Sequence, residues 1–250
     1  MGGKRKITFL GTSHGFAEKG HFTSGTLIEA SGYSYLIDAG APVEGLLLNY
    51  EKDISSIRGV FITHMHSDHA GDLAGIISGF MREDCNDKVK CYMPEKAGLD
   101  AFIAWMKALY TNVEAMQKLI RFQVIFEGII FDECDMKVTA IPTKHMGRGK
   151  YPSFAFMLEH KGKRILFTGD MGYGFPEYES IIADREYDLV VCEMAHAKLE
   201  EVWERLARTK TKKMIINHTW PPCLEHCEEI FGKMPFDVQV AQDGMELWVC

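Results

Sequence analysis

The sequence predicts an α/β fold with mixed β-sheets, on three observations. Short β-branched apolar runs, as at residues 57–63, 187–193 and 213–217, recur along the chain. Between them lie stretches with apolar residues at helical spacing, as at residues 71–82 and 197–208. Several strand ends carry an acid or a histidine, often beside a glycine, so polar chemistry gathers where strands stop. The 250 residues suit one large α/β domain or two small ones. No clean linker and no internal repeat divides them.

In order, residues 6–10 read as a first strand, ended by Gly11 and a small-residue loop over 11–15. Residues 24–30 and 33–38 are β-rich runs joined by Ser31-Gly32, a hairpin signal, and Asp38-Ala39-Gly40 closes the second. A short helix over 41–50 precedes the strand at 57–63. The helix over 71–82 ends in the polar run 83–88, and the strand at 89–93 stops at Pro94. Residues 95–121 hold apolar residues at helical spacing from Leu99 to Ile120 and predict one long helical segment. Strands follow at 122–126 and 136–141, then a strand pair, 153–159 and 163–168, about His160-Lys161-Gly162. The remainder alternates: a helix at 176–184, a buried strand at 187–193, a helix at 197–208 and a strand at 213–217 that ends at His218. A helix at 224–231 and strands at 237–240 and 245–249, separated by Asp243-Gly244, finish the chain.

Apolar residues make up 46% and charged residues 25%, the balance of an ordinary globular protein. No apolar run approaches the roughly 18 residues of a membrane span, and the basic start at residues 4–6 leads into no signal-like apolar core. Seven cysteines, an odd and irregularly spaced set, point to a reduced cytoplasmic setting rather than a disulfide scaffold. A net charge of −7 gives no global basic footprint for nucleic acid.

The densest chemistry lies in Thr63-His64-Met65-His66-Ser67-Asp68-His69, on a loop between a predicted strand and helix. His64 and His66 are two apart, so in an extended segment both rings leave on one side and can meet one cation. Asp68 and His69 stand where the chain turns into the helix and can face a second. Neutral imidazole with carboxylate suits zinc, and in part iron, manganese or nickel.

His64-x-His66-x-Asp68-His69 resembles the signature of the metallo-β-lactamase superfamily of di-metal hydrolases. The resemblance implies a four-layer αββα sandwich, two mixed sheets flanked by helices, as a single domain over residues 1–250. It implies three further ligands at strand ends, and His145, Asp170 and His218 stand in that order. His64, His66 and His145 would then hold one metal, Asp68, His69 and His218 the second, and Asp170 would bridge both. Two divalent ions, zinc by preference, would activate a shared hydroxide near neutral pH, with Asp68 orienting it or taking its proton. Asp38 resembles the superfamily's Asp-x-Gly element that orients the metal loop. His66 stands where an iron-redox branch carries Glu, which argues against redox chemistry.

Within the superfamily, Phe9-Leu10-Gly11-Thr12-Ser13 and the Gly169-Asp170 turn resemble the tRNase Z and cyclic-phosphodiesterase branch. The chain departs from it twice. It has no long Gly/Pro-rich insertion of the kind that clamps tRNA. Cys192 stands where the family's His-Glu-Ala run has its histidine, and His196 lies close enough to supply a proton to the leaving alkoxide instead. Lys144, Arg148 and Lys150 flank His145 as candidate phosphate binders. The reading is a phosphodiesterase for a small nucleotide-like or cyclic phosphodiester. Thioester or lactam hydrolysis and tRNA 3′-processing are the alternatives, and a non-enzymatic metal protein is the last. Folded RNA is disfavoured, no membrane partner is expected, and a homodimer is left open. Cys223, His226 and Cys227 form a Cys-x-x-His-Cys cluster with no evident second half-site.

Overall fold

Strands that are apolar on both faces need cover on both, and the chain meets that need with two facing sheets and an outer helical layer on each. The structure, a computed structural model, describes residues 5–83, 85, 89–183 and 185–250. Most of the polar run 83–88 and the end of the helix predicted over 176–184 lie outside the described residues.

The strands are β1 (Arg5–Gly11), β2 (Gly25–Ala30), β3 (Tyr33–Ile37), β4 (Ile57–Phe61), β5 (Val89–Met93), β6 (Ile120–Val124), β7 (Gly128–Glu133) and β8 (Met136–Pro142). They continue as β9 (Phe154–His160), β10 (Lys163–Phe167), β11 (Glu186–Tyr187), β12 (Leu189–Met194), β13 (Lys210–Thr211), β14 (Lys213–Thr219), β15 (Asp237–Val240) and β16 (Glu246–Val249). The first sheet runs β16-β1-β2-β3-β4-β5-β6 and the second β15-β14-β12-β10-β9-β8-β7, while β11 and β13 form a small separate pair. Both large sheets mix parallel and antiparallel neighbours. The helices are α1 (Val43–Asn49), α2 (Ser67–Ala70), α3 (Leu73–Arg82), α4 (Lys96–Ala108), α5 (Val113–Leu119), α6 (Tyr178–Ile182), α7 (Leu199–Leu206) and α8 (Cys227–Phe231).

Three buried clusters define the layers. Ile7, Phe9, Tyr35 and Phe61 of the first sheet pack on Phe131, Phe156, Phe167 and Val191 of the second. Phe61 is the hub, stacked on Tyr92 at 5.0 Å between ring centroids and edge-on to Phe131 at 5.8 Å. The outer face of the first sheet meets α1, α3, α4 and α5 through residues such as Leu46, Ile76, Phe102 and Met116. The outer face of the second meets α6, α7 and α8 through Ile181, Val202 and Ile230. This is the four-layer sandwich of two mixed sheets flanked by helices.

The structure corrects the element assignment in three places. The helical segment predicted over 95–121 is two helices and a strand. Tyr110 takes a left-handed φ of 60°, and the Asn112 side chain accepts a hydrogen bond from the Ala115 N–H at 3.0 Å, capping a new helix. Ile120 and Arg121 then pair with Val89 and Lys90 as the start of β6. Strand β7 is absent from the sequence reading: it lies at a sheet edge with half of its residues exposed, and its apolar run is limited to Ile129-Ile130-Phe131. The last helix begins at Cys227 rather than 224, after a 3₁₀ turn over Pro221–Leu224 that the two prolines favour.

Candidate metal centre

Parallel pairing of β10, β12 and β14 brings their C-terminal ends to one rim, and β8 lies in the same direction. The C-terminal ends of β3 and β4 in the other sheet meet this rim, where the Phe154 N–H donates to the Thr63 carbonyl at 3.0 Å. Asp38 follows β3, the histidine loop follows β4, and His145 follows β8. Asp170 follows β10, Glu193 and His196 lie at the end of β12, and His218 is the penultimate residue of β14.

Two glycines are needed for close approach. A Cβ on Gly40 would lie 2.1 Å from the Asp68 carbonyl oxygen, so the Asp38-x-Gly40 turn can press on the histidine loop only with glycine there. Gly169 has a φ of 55°, and a Cβ on it would lie 2.5 Å from the Phe154 carbonyl oxygen. Asp38 and His218 adopt φ values of 61° and 48°, conformations that non-glycine residues hold only where the surroundings impose them. The Asp38 carboxylate accepts from the Thr63 N–H at 2.8 Å and the Thr63 hydroxyl at 3.0 Å, and lies 2.7 Å from His69 Nδ1. This fixes the ring of His69 with Nε2 facing inward.

All seven predicted ligands converge. His64 Nε2 lies 3.0 Å and His145 Nε2 3.2 Å from His66 Nδ1. Asp68 Oδ2 lies 3.3 Å from His69 Nε2 and 3.8 Å from His218 Nε2. Asp170 spans both groups, at 3.7 Å from His64 Nε2, 3.6 Å from His145, 3.5 Å from His69 and 3.4 Å from His218. Donors arranged tetrahedrally about 2.0–2.1 Å from one cation stand roughly 3.4 Å apart, the spacing seen here. His69 Nε2 and Asp170 Oδ1 are buried with no hydrogen-bond partner, as atoms reserved for a cation are. Both donor sets thus fit a divalent ion.

The electrostatics agree. Burial and the neighbouring His69 push the His64 imidazole well below its ordinary range, and burial lowers His145, so both stay neutral and keep a lone pair. Burial would raise the Asp170 carboxyl, but the His218 and His69 imidazoles hold it well below the usual carboxylate range. Burial likewise opposes ionisation of Asp68, and His69 outweighs it. His69 goes the other way: against burial, Asp170 and Asp38 hold a proton on it, and a cation held beside Asp170 would take that proton's place.

Above the ligands opens a cavity of about 430 Å³ whose walls include His66, Asp68, Asp170, His196 and His218. His196 Nδ1 lies 3.0 Å from Glu193 Oε1, and Glu193 Oε2 accepts from the N–H groups of Ala195 and His196 at 2.8 and 3.0 Å. Burial works against a charge on His196, but the hydrogen bond and charge of Glu193 raise it to about 9. Cys192, in the preceding alternation position, points into the buried cluster under the outer helices and cannot reach the cavity. Lys144, Arg148 and Lys150 are exposed on the loop around the 3₁₀ turn at Met146–Arg148, outside the walls of this cavity. Cys223 is buried with its thiol donating to the Ala195 carbonyl at 3.6 Å. Among the described residues the Cys223, His226 and Cys227 donors do not converge as the two donor sets do.

Sequence reasoning passed over two carboxylates. Glu193 is the anchor of His196. Glu177 is buried and accepts from the N–H groups of Lys144 at 2.6 Å and Gly172 at 2.9 Å, tying the loop of His145 to that of Asp170. Glu193 had a signal, since it lies at a strand end three residues before His196; Glu177 had none, because its partners are backbone groups distant in sequence.

The sequence model of the family described as "Anti-Pycsar protein Apyc1" matches residues 5–241. Ribonuclease Z of Shouchella clausii (strain KSM-K16) is 30% identical over 161 residues, 63% of this chain and 49% of that protein. The chain thus spans about half the length of the first curated relatives it matches. The metallo-β-lactamase fold protein YhfI from Bacillus subtilis superposes with a TM-score of 0.77 at 18% identity, covering 98% of this chain and 99% of that one. Human tRNase Z, short form (ELAC1), superposes with a TM-score of 0.77 at 19% identity, covering 98% and 99%. The structural likenesses are likenesses of fold.

Proposed function

The chain belongs to the anti-Pycsar Apyc1 family, and on that footing we propose that it is a di-metal phosphodiesterase acting on a small nucleotide-like or cyclic phosphodiester. The observation that carries the reading is the convergence of two donor sets on Asp170 at the floor of a cavity of about 430 Å³. That volume suits a small ligand rather than a folded macromolecule. His64, His66 and His145 would hold one divalent ion and Asp68, His69 and His218 the other, with Asp170 shared. Zinc suits this donor set best. When bound, such ions supply an activated water and take up charge on the phosphoryl group.

The chain's own groups do the rest. Asp68, on the cavity wall, orients the attacking water and accepts its proton. His196 faces the cavity from the opposite loop and gives a proton to the leaving alkoxide, while Glu193 keeps its ring oriented and charged. Lys144, Arg148 and Lys150 raise the local anion concentration from the rim. Seven free cysteines support a reducing compartment such as the cytoplasm.

The ribonuclease Z relative supports a second reading, tRNA 3′-processing. Its weak points are the net charge of −7 and the size of the cavity. A panel on metal-loaded protein separates the readings: a 3′,5′-cyclic nucleotide, bis-p-nitrophenyl phosphate, a precursor tRNA, a glutathione thioester and nitrocefin. Turnover of the small diesters is expected. Turnover of thioester or nitrocefin with silent phosphodiesters would end the proposal, and cleavage of the tRNA alone would transfer it to the second reading.

A further inference from the structure

One ligand of the outer donor set has little support of its own. His64 and His66 share the loop after β4, whereas His145 stands alone after β8. Among the described residues no protein group hydrogen-bonds His145 Nδ1, while Asp38 lies 2.7 Å from Nδ1 of the inner His69. The turn beyond His145 is no brace. Gly147, Arg148 and Gly149 take left-handed φ values of 57°, 59° and 84°, and the Gly149, Lys150 and Tyr151 N–H groups bond back to carbonyls of Met146 and Gly147 in the same turn. The place of His145 is therefore set from its other side, by Thr143 and Lys144.

Glu177 reaches that backbone. It is 4% exposed, and its Oε1 accepts from both the Lys144 N–H at 2.6 Å and the Gly172 N–H at 2.9 Å. Lys144 directly precedes His145, and Gly172 lies two residues after Asp170. One buried oxygen thus spans the two loops that set His145 Nε2 3.6 Å from Asp170 Oδ2. Glu177 itself stands on fixed ground. Its carbonyl accepts from the Ser180 and Ile181 N–H groups of α6 at 3.0 Å each. Arg205 donates to the Gly174 and Phe175 carbonyls just before it at 2.7 and 2.8 Å.

The two loops do not depend on this tie equally. The Asp170 loop has other anchors: the Met171 N–H donates to Glu193 Oε1 at 2.9 Å, and the Thr143 hydroxyl donates to the Asp170 carbonyl at 2.8 Å. Without Glu177, Asp170 keeps its place and the segment from Lys144 onward is released. We infer that Glu177 is a positioning residue for the outer cation: by gathering Lys144 and Gly172 on one oxygen it fixes His145 against Asp170, and so sets the affinity of the outer set separately from that of the inner. The inference rests on the di-metal reading above for the presence of an outer cation. It adds that a residue outside both donor sets tunes one of them.

The test is zinc titration of metal-free full-length protein against a chromogenic chelator, with His145→Ala marking which step belongs to the outer cation. Glu177→Ala should weaken the outer cation about ten-fold, as loss of an outer-shell partner does, and the inner one several-fold less. Glu177→Asp keeps the buried charge but is one methylene short of the two N–H groups, and should show the same selective loss. Glu177→Gln keeps Oε1 at full length and should recover most of the affinity. In metal-free protein, amide exchange at Lys144 and Gly172 should quicken in the Ala and Asp variants and stay near wild type in the Gln variant. Equal weakening of both cations overturns the inference, as does unchanged exchange at the two amides. If neither the Ala nor the Asp variant folds, Glu177 serves the fold as a whole and the inference is again overturned. Wild-type protein that takes up no second cation ends the di-metal reading and the inference with it. Two cations in the wild type with outer affinity unchanged in both variants end the inference alone.

Discussion

The two halves of the candidate metal centre share chemistry but differ in depth. Asp68, His69 and His218 are all buried, whereas among His64, His66 and His145 only the first is, and His66 is open to the cavity. The inner set is also the better supported. Asp38 lies 2.7 Å from His69 Nδ1, while the outer His145 depends on a loop held at a distance by Glu177. If the two sets hold cations as proposed, the difference makes the inner one the better placed to retain its ion and the outer one the better placed to present one to a ligand. A buried, pre-oriented donor set has no solvent competing for its lone pairs, and its charges are weakly screened.

The largest break in that comparison comes from the shared residue. Asp170→Ala should strip metal from both sets and lower turnover by roughly 10³-fold or more, read by elemental analysis beside the rate. A variant with full metal and full rate would refute the assignment. His196→Gln should lower kcat by about 10²-fold through loss of the proton donor while leaving metal content nearly intact; equal loss of metal and rate would make His196 a ligand instead, a role its closeness to His145 and Asp170 permits. Asp38→Asn should weaken the inner cation by roughly 10- to 100-fold and the outer one much less, and titration with a chromogenic chelator resolves the two. On the unmodified protein, chelation should proceed in two phases, the more exposed outer cation leaving first; a single phase would erase the distinction between the sets. The smallest effect belongs to the rim: Lys144→Ala, Arg148→Ala or Lys150→Ala should each lower kcat/KM by about two- to three-fold at low ionic strength and by less in salt, because exposed charges are screened over a Debye length.

The comparison also explains what could be read before the fold was known. His64, His66, Asp68 and His69 lie within six residues, so their pattern is local and survives as a motif. His145, Asp170 and His218 are single residues at strand ends, recognisable only because the motif had already raised the question. Glu177 was not legible as a site residue, since it acts on a partner remote in sequence, the backbone of Lys144. The helix break at Tyr110 was hidden for another reason. Apolar spacing continues through residues 109–120, and only the capping hydrogen bond of Asn112 and the pairing of β6 with β5 interrupt it.

What the amino-acid order determined alone is whatever depends on neighbours within a turn or a strand: the β-runs, the hairpin at Ser31-Gly32, and the histidine loop. The tertiary structure decided which sheet each strand joins, β16 crossing back to pair with β1, and therefore which loops share a rim. Backbone propensity acts over a few residues, whereas strand order and the facing of two sheets are settled by burial of side chains far apart in the chain. Chemistry carried by one segment can be read from that segment, and chemistry assembled from several waits for the packing that assembles it.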